Sequence, residues 1–72
     1  MRDLTAVGRV GVLLVGTRGA DGAGEVLLSL RGASESLLAW SDEPLAKGTH
    51  VMVIAVIASR TVRVVRAEDG WA

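Results

Sequence analysis

Thr49-His50-Val51-Met52-Val53-Ile54-Ala55-Val56-Ile57 (THVMVIAVI) is the stretch on which the fold turns. Its β-branched side chains lose χ1 freedom in a helix and pack well on a pleated surface, so the segment reads as a strand. Pro44 and Gly48 precede it. Proline fixes φ and lacks an N–H, which suits a turn, and Gly48 can take the positive φ that lets the chain reverse. Alternation assigns Val51, Val53, Ala55 and Ile57 to one face and His50, Met52, Ile54 and Val56 to the other. Both faces are apolar, and only one can line a core. The second needs cover from the tails, from another subunit or from a partner.

On the C-terminal side, Ala58-Ser59-Arg60 reads as a short hairpin loop and TVRVVR, residues 61–66, as a fifth strand. A tail over residues 67–72 carries Trp71. On the N-terminal side, residues 9–15, 25–31 (EVLLSLR) and 34–41 (SESLLAWS) have strand composition. Residues 16–24 hold four glycines and one Asp and mark a long turn, while Gly32-Ala33 makes a tight one. Residues 1–8 form an arm or a short strand. Frequent glycine and β-branched residues argue against helix. Five short strands with turn signals between them point to a small barrel or a sandwich. A barrel also removes the open edges that endanger a neutral, valine-rich chain. The expectation is all-β: one domain over residues 1–72, with a core at about 7–66 and a flexible tail at about 67–72.

Composition narrows the function. The chain has 72 residues, no cysteine, and eight basic residues against eight acidic ones. No disulfide and no thiolate metal site is available. Zero formal charge gives no long-range pull toward nucleic acid or anionic lipid, and it favours association. The longest apolar run, residues 51–58, is far short of the roughly 20 residues of a membrane helix. Leu4-Thr5-Ala6-Val7-Gly8 is not the apolar run of a signal peptide. A cytoplasmic location is expected.

No constellation for chemistry stands out. His50 is the only histidine, and one imidazole without cysteines does not make a metal site. Glu35, Asp42 and Glu43 read as solvated turn residues, since catalysis also needs a nucleophile or base held by a partner group. The 16–24 turn lacks the Gly-Lys-Ser/Thr ending and the following helix of a phosphate loop. Lys47, the sole lysine, precedes the fourth strand, whereas a biotinyl or lipoyl carrier presents its lysine at a hairpin tip. No catalytic residue, cofactor or metal is expected. Trp40, late in the third strand, suits either the barrel end or a partner contact, because tryptophan is enriched at binding hot spots.

The order of several motifs resembles the soluble C-terminal domain of NfeD-like proteins. Val7-Gly8-Arg9-Val10-Gly11 is similar to that family's first-strand Gly-x-x-Gly, and Gly24-Glu25-Val26-Leu27-Leu28 to its second strand. Leu45-Ala46-Lys47-Gly48-Thr49-His50-Val51-Met52-Val53 resembles its I-x-x-G-x-x-V-x-V signature, and Ile57-Ala58-Ser59-Arg60-Thr61-Val62-Arg63-Val64 its final hairpin. The resemblance implies a five-stranded OB-like barrel, usually placed after transmembrane helices, acting beside membrane-associated SPFH proteins of the flotillin or stomatin kind. It implies association with the membrane through that partner or through a transmembrane segment outside this chain. Nothing matches the serine protease domain of longer relatives.

The functional expectation is a non-enzymatic protein–protein interaction module that meets an SPFH protein or a second copy of itself, with no small-molecule substrate. Its candidate partner-binding residues are Trp40, Met52, Ile54 and Val56. The alternative is an OB domain for single-stranded nucleic acid. That mode stacks bases on aromatics in a basic groove, and this chain has no Phe or Tyr. Arg60, Arg63 and Arg66 supply only a partial basic patch. The N-terminal arm, through Leu4 and Val7, is a second way to cover the outer face of the fourth strand.

Overall fold

The computed structural model describes residues 6–30 and 32–67. Five strands form: β1 (Val10–Val15), β2 (Gly24–Leu30), β3 (Ala33–Trp40), β4 (His50–Ala58) and β5 (Thr61–Arg66). They close into a barrel in the order β1-β2-β3-β5-β4. All neighbours are antiparallel except β3 and β5. This is the strand order of the OB fold, so the all-β, OB-like expectation holds. Strand limits fall within one residue of those expected, and β5 coincides. Arg31, expected to end the second strand, and Trp71 in the tail lie outside the described residues.

The interior follows from period-two alternation. Val26, Leu28 and Leu30 of β2, Leu37 and Ala39 of β3, and Val62 and Val64 of β5 all point inward and are buried. β4 adds Val51 and Val53, β1 adds Leu13, and Ala6 and Leu45 cap the core from outside the strands. Gly11 holds the inward position of β1 beside β2. A Cβ there would meet the Leu27 carbonyl oxygen and the Leu28 side chain, so β1 lies closer to β2 than a side chain allows.

Alternation fails in the second half of β4, and that corrects one expectation. Val53 pairs with Val64, but Ala55 pairs with Arg63, so one extra residue, Ile54, is accommodated on β4. A second shift between Val56 and Ala58 accommodates Ile57. Each bulge breaks the alternation of faces. Val56 therefore pairs with the inward Val62 and packs against the core, although it was expected outside. Ile57, expected inside, is 41% exposed.

The barrel ends are built differently. At one end the 16–23 and 41–49 loops are joined by a buried polar cluster. The Leu45 N–H donates to Thr17 Oγ1 at 2.9 Å, and the Thr17 N–H donates to the Leu45 carbonyl at 2.8 Å. Ser41 Oγ donates to the Glu43 carbonyl at 2.6 Å. That uses the Ser41 proton, so the 2.6 Å contact between the two hydroxyls is Thr17 donating to Ser41. Each buried hydroxyl is thereby satisfied as donor and acceptor. The same loop reverses through Gly48, whose φ of 90° is the positive value expected. The Thr49 N–H donates to the Ala46 carbonyl at 3.1 Å across Lys47 and Gly48, a turn with glycine at its third position.

The opposite end holds the β2–β3 and β4–β5 hairpins and Ala6. A cavity of about 180 Å³ sits there, with Leu30, Leu37, Val56 and Val62 in its lining. That is below the roughly 300–1,000 Å³ of small-molecule sites. At its rim, Arg60 adopts φ 52° and donates to the Ser36 carbonyl at 3.0 Å and to Glu35 at 3.4 Å. Its own carbonyl accepts from the Leu38 N–H at 3.0 Å, fixing the start of the parallel β3–β5 pairing.

Candidate interaction surface

The outward side chains of β4 are flanked by those of β5 and β1. Met52 pairs with Val65 on one side and with Val10 on the other, giving an apolar row across three strands. Paired residues share a face, and in antiparallel pairs their side chains touch readily. Val10 and Val65 are exposed, and Met52 is half-buried. Ile54, at the first bulge, is 42% exposed.

The next row joins β3 to this face. Trp40 is paired in parallel with Arg63, and Arg63 with Ala55 beside Ile54. The inward neighbour of Trp40 is the fully buried Ala39, so the indole belongs to the outer side of the barrel, where it is half-buried. Trp40, Met52 and Ile54 are thus brought onto one continuous face of β3, β5 and β4. Val56, for the reason given above, is not part of it.

Arg63 stands inside this face, and the sequence reading missed its place there. Its Nη1 donates to Asp42 Oδ1 at 2.9 Å. Asp42 is 94% exposed and Arg63 41%, so the pair stands largely in water and holds little energy of its own. The signal that places Arg63 is its two-residue spacing from Val65 on β5 together with the parallel pairing to Trp40. The first is in the sequence; the second is long-range and is not.

The remaining candidates fall elsewhere. Val7 is exposed, although the neighbouring Gly8 N–H donates to the Val53 carbonyl of β4 at 2.8 Å, and Leu4 lies outside the described residues. His50 is exposed at the start of β4. Among the described residues no group of three or more His, Cys, Asp or Glu side chains is placed to hold a metal. Of the three arginines of the basic patch, Arg60 is paired with Glu35 and Arg63 with Asp42. Among the described residues no helix is long and apolar enough to cross a membrane.

Comparison with known proteins agrees with the fold and the motif order. The model of the NfeD C-terminal domain family matches residues 10–65. Among solved structures, the chain is similar to the soluble domain of the NfeD protein YuaF from Bacillus subtilis. Identity is 30%, the TM-score is 0.69, and the match covers 85% of this chain and 73% of that one. No protein of curated function matches significantly. With more than half of its length matched, and all five strands of the barrel within or at the limits of the match, the chain belongs to the NfeD C-terminal domain family.

Proposed function

We propose that this domain is a non-enzymatic protein–protein interaction module, and that it meets its partner through the outer face of β3, β5, β4 and β1. One observation supports the reading: Trp40, Arg63, Met52, Ile54, Val65 and Val10 share contiguous rows on the outside of a closed barrel. Tryptophan and arginine are the residue types that dominate binding hot spots, and an aliphatic surround keeps water from them. Family resemblance suggests the partner, a membrane-associated SPFH protein of the flotillin or stomatin kind. That partner would bring the domain to the membrane, as would a transmembrane segment outside this chain.

The test uses the SPFH protein of the same host, purified and titrated against this domain by calorimetry. Ile54→Lys and Trp40→Ala are expected to weaken binding by more than about tenfold, while melting temperatures stay near that of the wild type. Binding that is absent in the wild type, or unchanged in both variants, overturns the reading. Tight binding of labelled single-stranded DNA at moderate salt would replace it with the nucleic-acid alternative.

A further inference from the structure

β3 outruns its parallel neighbour. β5 pairs with it only at Leu38, Ala39 and Trp40. The Leu38 N–H donates across to the Arg60 carbonyl at 3.0 Å. Every second residue of a strand turns its backbone groups to the same side, so Ser36 and Ser34 present theirs as Leu38 does. No strand meets them: among the described residues, neither serine N–H has a backbone acceptor. The Ser36 carbonyl is covered by a side chain, the Arg60 guanidinium at 3.0 Å. Both serines are exposed. An open stretch of strand edge is a template for another extended chain.

Hollows lie on both sides of this edge. The cavity of about 180 Å³ is on the inner side, against Leu37, with Leu30, Val56 and Val62 in its apolar lining. A recess of about 330 Å³ is on the outer side, beside Ser36 and Leu38. A strand sends alternate side chains to opposite faces, so an added one fills both hollows at once. The inner hollow suits an aliphatic side chain. The charged groups lining the two hollows are Glu25, Glu35 and Arg60. Glu35 and Arg60 are paired with each other at 3.4 Å. Glu25 has no ion pair among the described residues, so one negative charge is left over on the outer side, where it suits a basic side chain.

We propose that the open edge of β3 takes up an extended segment of another protein by strand addition, with an aliphatic side chain in the inner cavity and a basic one beside Glu25. β5 already shows β3 this pattern: Val62 and Val64 are buried inside the barrel, and Arg63 stands outside. The arriving backbone N–H replaces the Arg60 guanidinium on the Ser36 carbonyl, an exposed bond that costs little to exchange. No residue of the outer face assigned above lines either hollow, so the two readings stand or fall separately.

Calorimetric titration of the domain with a synthetic peptide of residues 61–66 (TVRVVR), blocked at both ends, tests the proposal, with the Ser34 and Ser36 amide signals followed by NMR. Saturable one-to-one binding that shifts both signals is expected. Within β5, the residues in step with Arg60, namely Val62 and Val64, turn their backbone toward β3, and Arg63 turns away. A peptide N-methylated at Val62 and Val64 is therefore expected to bind at least about tenfold more weakly, and one N-methylated at Arg63 to bind as the parent does. Ser36→Pro removes an edge N–H, a change that edge strands tolerate, and is expected to weaken binding at least about tenfold. Glu25→Lys is expected to weaken it about threefold, the scale of an exposed charge contact. No saturation at about 1 mM peptide overturns the proposal. So do equal affinities of the two methylated peptides, unchanged binding to either domain variant, or shifts that spare Ser34 and Ser36. If Ser36→Pro fails to fold, the two methylated peptides decide. A domain that takes up no peptide but forms a dimer abolished by Ser36→Pro overturns the proposal in favour of a second copy at this edge.

Discussion

Leu13 and Leu14 are the same residue at adjacent positions of one strand, yet Leu13 is 1% exposed and Leu14 39%. Val53 and Ile54 on β4 repeat the contrast at 0% and 42%. Side-chain chemistry does not decide which of them stabilises the barrel; register does. The inner members are fixed by side chains converging from five strands. The outer members have no comparable cover among the described residues, so their apolar area is available for an encounter. One strand thereby carries two faces, a buried inner one that stabilises the barrel and an exposed apolar outer one.

The contrast is most exposed to failure at the leucine pair. Leu13→Ala is expected to lower the free energy of unfolding by about 2–5 kcal/mol, because it leaves a cavity in a close-packed interior. Leu14→Ala is expected to change it by less than about 0.5 kcal/mol. Urea titration of both variants measures the difference. Equal losses would mean that the inner and outer faces are not energetically distinct.

Composition and spacing made the strands readable because each is short and set off by glycine or a turn residue, and β1, β4 and β5 are rich in β-branched residues. Gly48 was readable for the same local reason, and its φ of 90° follows from the turn it closes. Half of the candidate surface was legible as well: Trp40, Met52 and Ile54 were named, the last two placed outward by simple alternation. Val56 and Ile57 were not, because a bulge is a property of two strands, and β5 decides where β4 must gain a residue. Arg63 was missed because its neighbour Trp40 reaches it by a parallel pairing between strands that are not consecutive in the chain. The Thr17–Ser41 contact spans 24 residues and had no local signature at all.

That contact sets the next expectation. Thr17→Val keeps the shape but leaves the Leu45 N–H without its acceptor and Ser41 Oγ without its donor. A buried polar group stripped of its partner costs about 1–3 kcal/mol. Thr17→Ser keeps the hydroxyl and is expected to lose only the methyl group, about 0.8 kcal/mol. If the two variants unfold at the same urea concentration, the loop-bearing end of the barrel is held by packing instead of by hydrogen bonds.

Gly48 offers a smaller and cleaner effect. A Cβ added there meets nothing within 4 Å, so any penalty is backbone strain alone. Gly48→Val is expected to cost about 1–2 kcal/mol, and Gly48→Asn, whose side chain tolerates left-handed φ, distinctly less. Thermal unfolding of the two variants gives the order. An unchanged melting temperature in Gly48→Val would show that the loop can rebuild its turn without positive φ.

The smallest effect bears most directly on the outer face. Undisturbed alternation makes Ile57 a core residue and Val56 a surface one, so Ile57→Ala should then be the more costly change. The two register shifts on β4 reverse this. Val56 packs against the core and Ile57 is largely in water, so Val56→Ala is expected to cost about 1 kcal/mol and Ile57→Ala less than about 0.5 kcal/mol. The sign of the difference matters more than its size, because the alternation alone predicts the opposite one. Urea midpoints measured side by side read it directly. If Ile57→Ala proves the costlier, β4 runs without its bulges, Val56 returns to the outer row beside Ile54, and the interaction surface must be redrawn toward the hairpin end of the barrel.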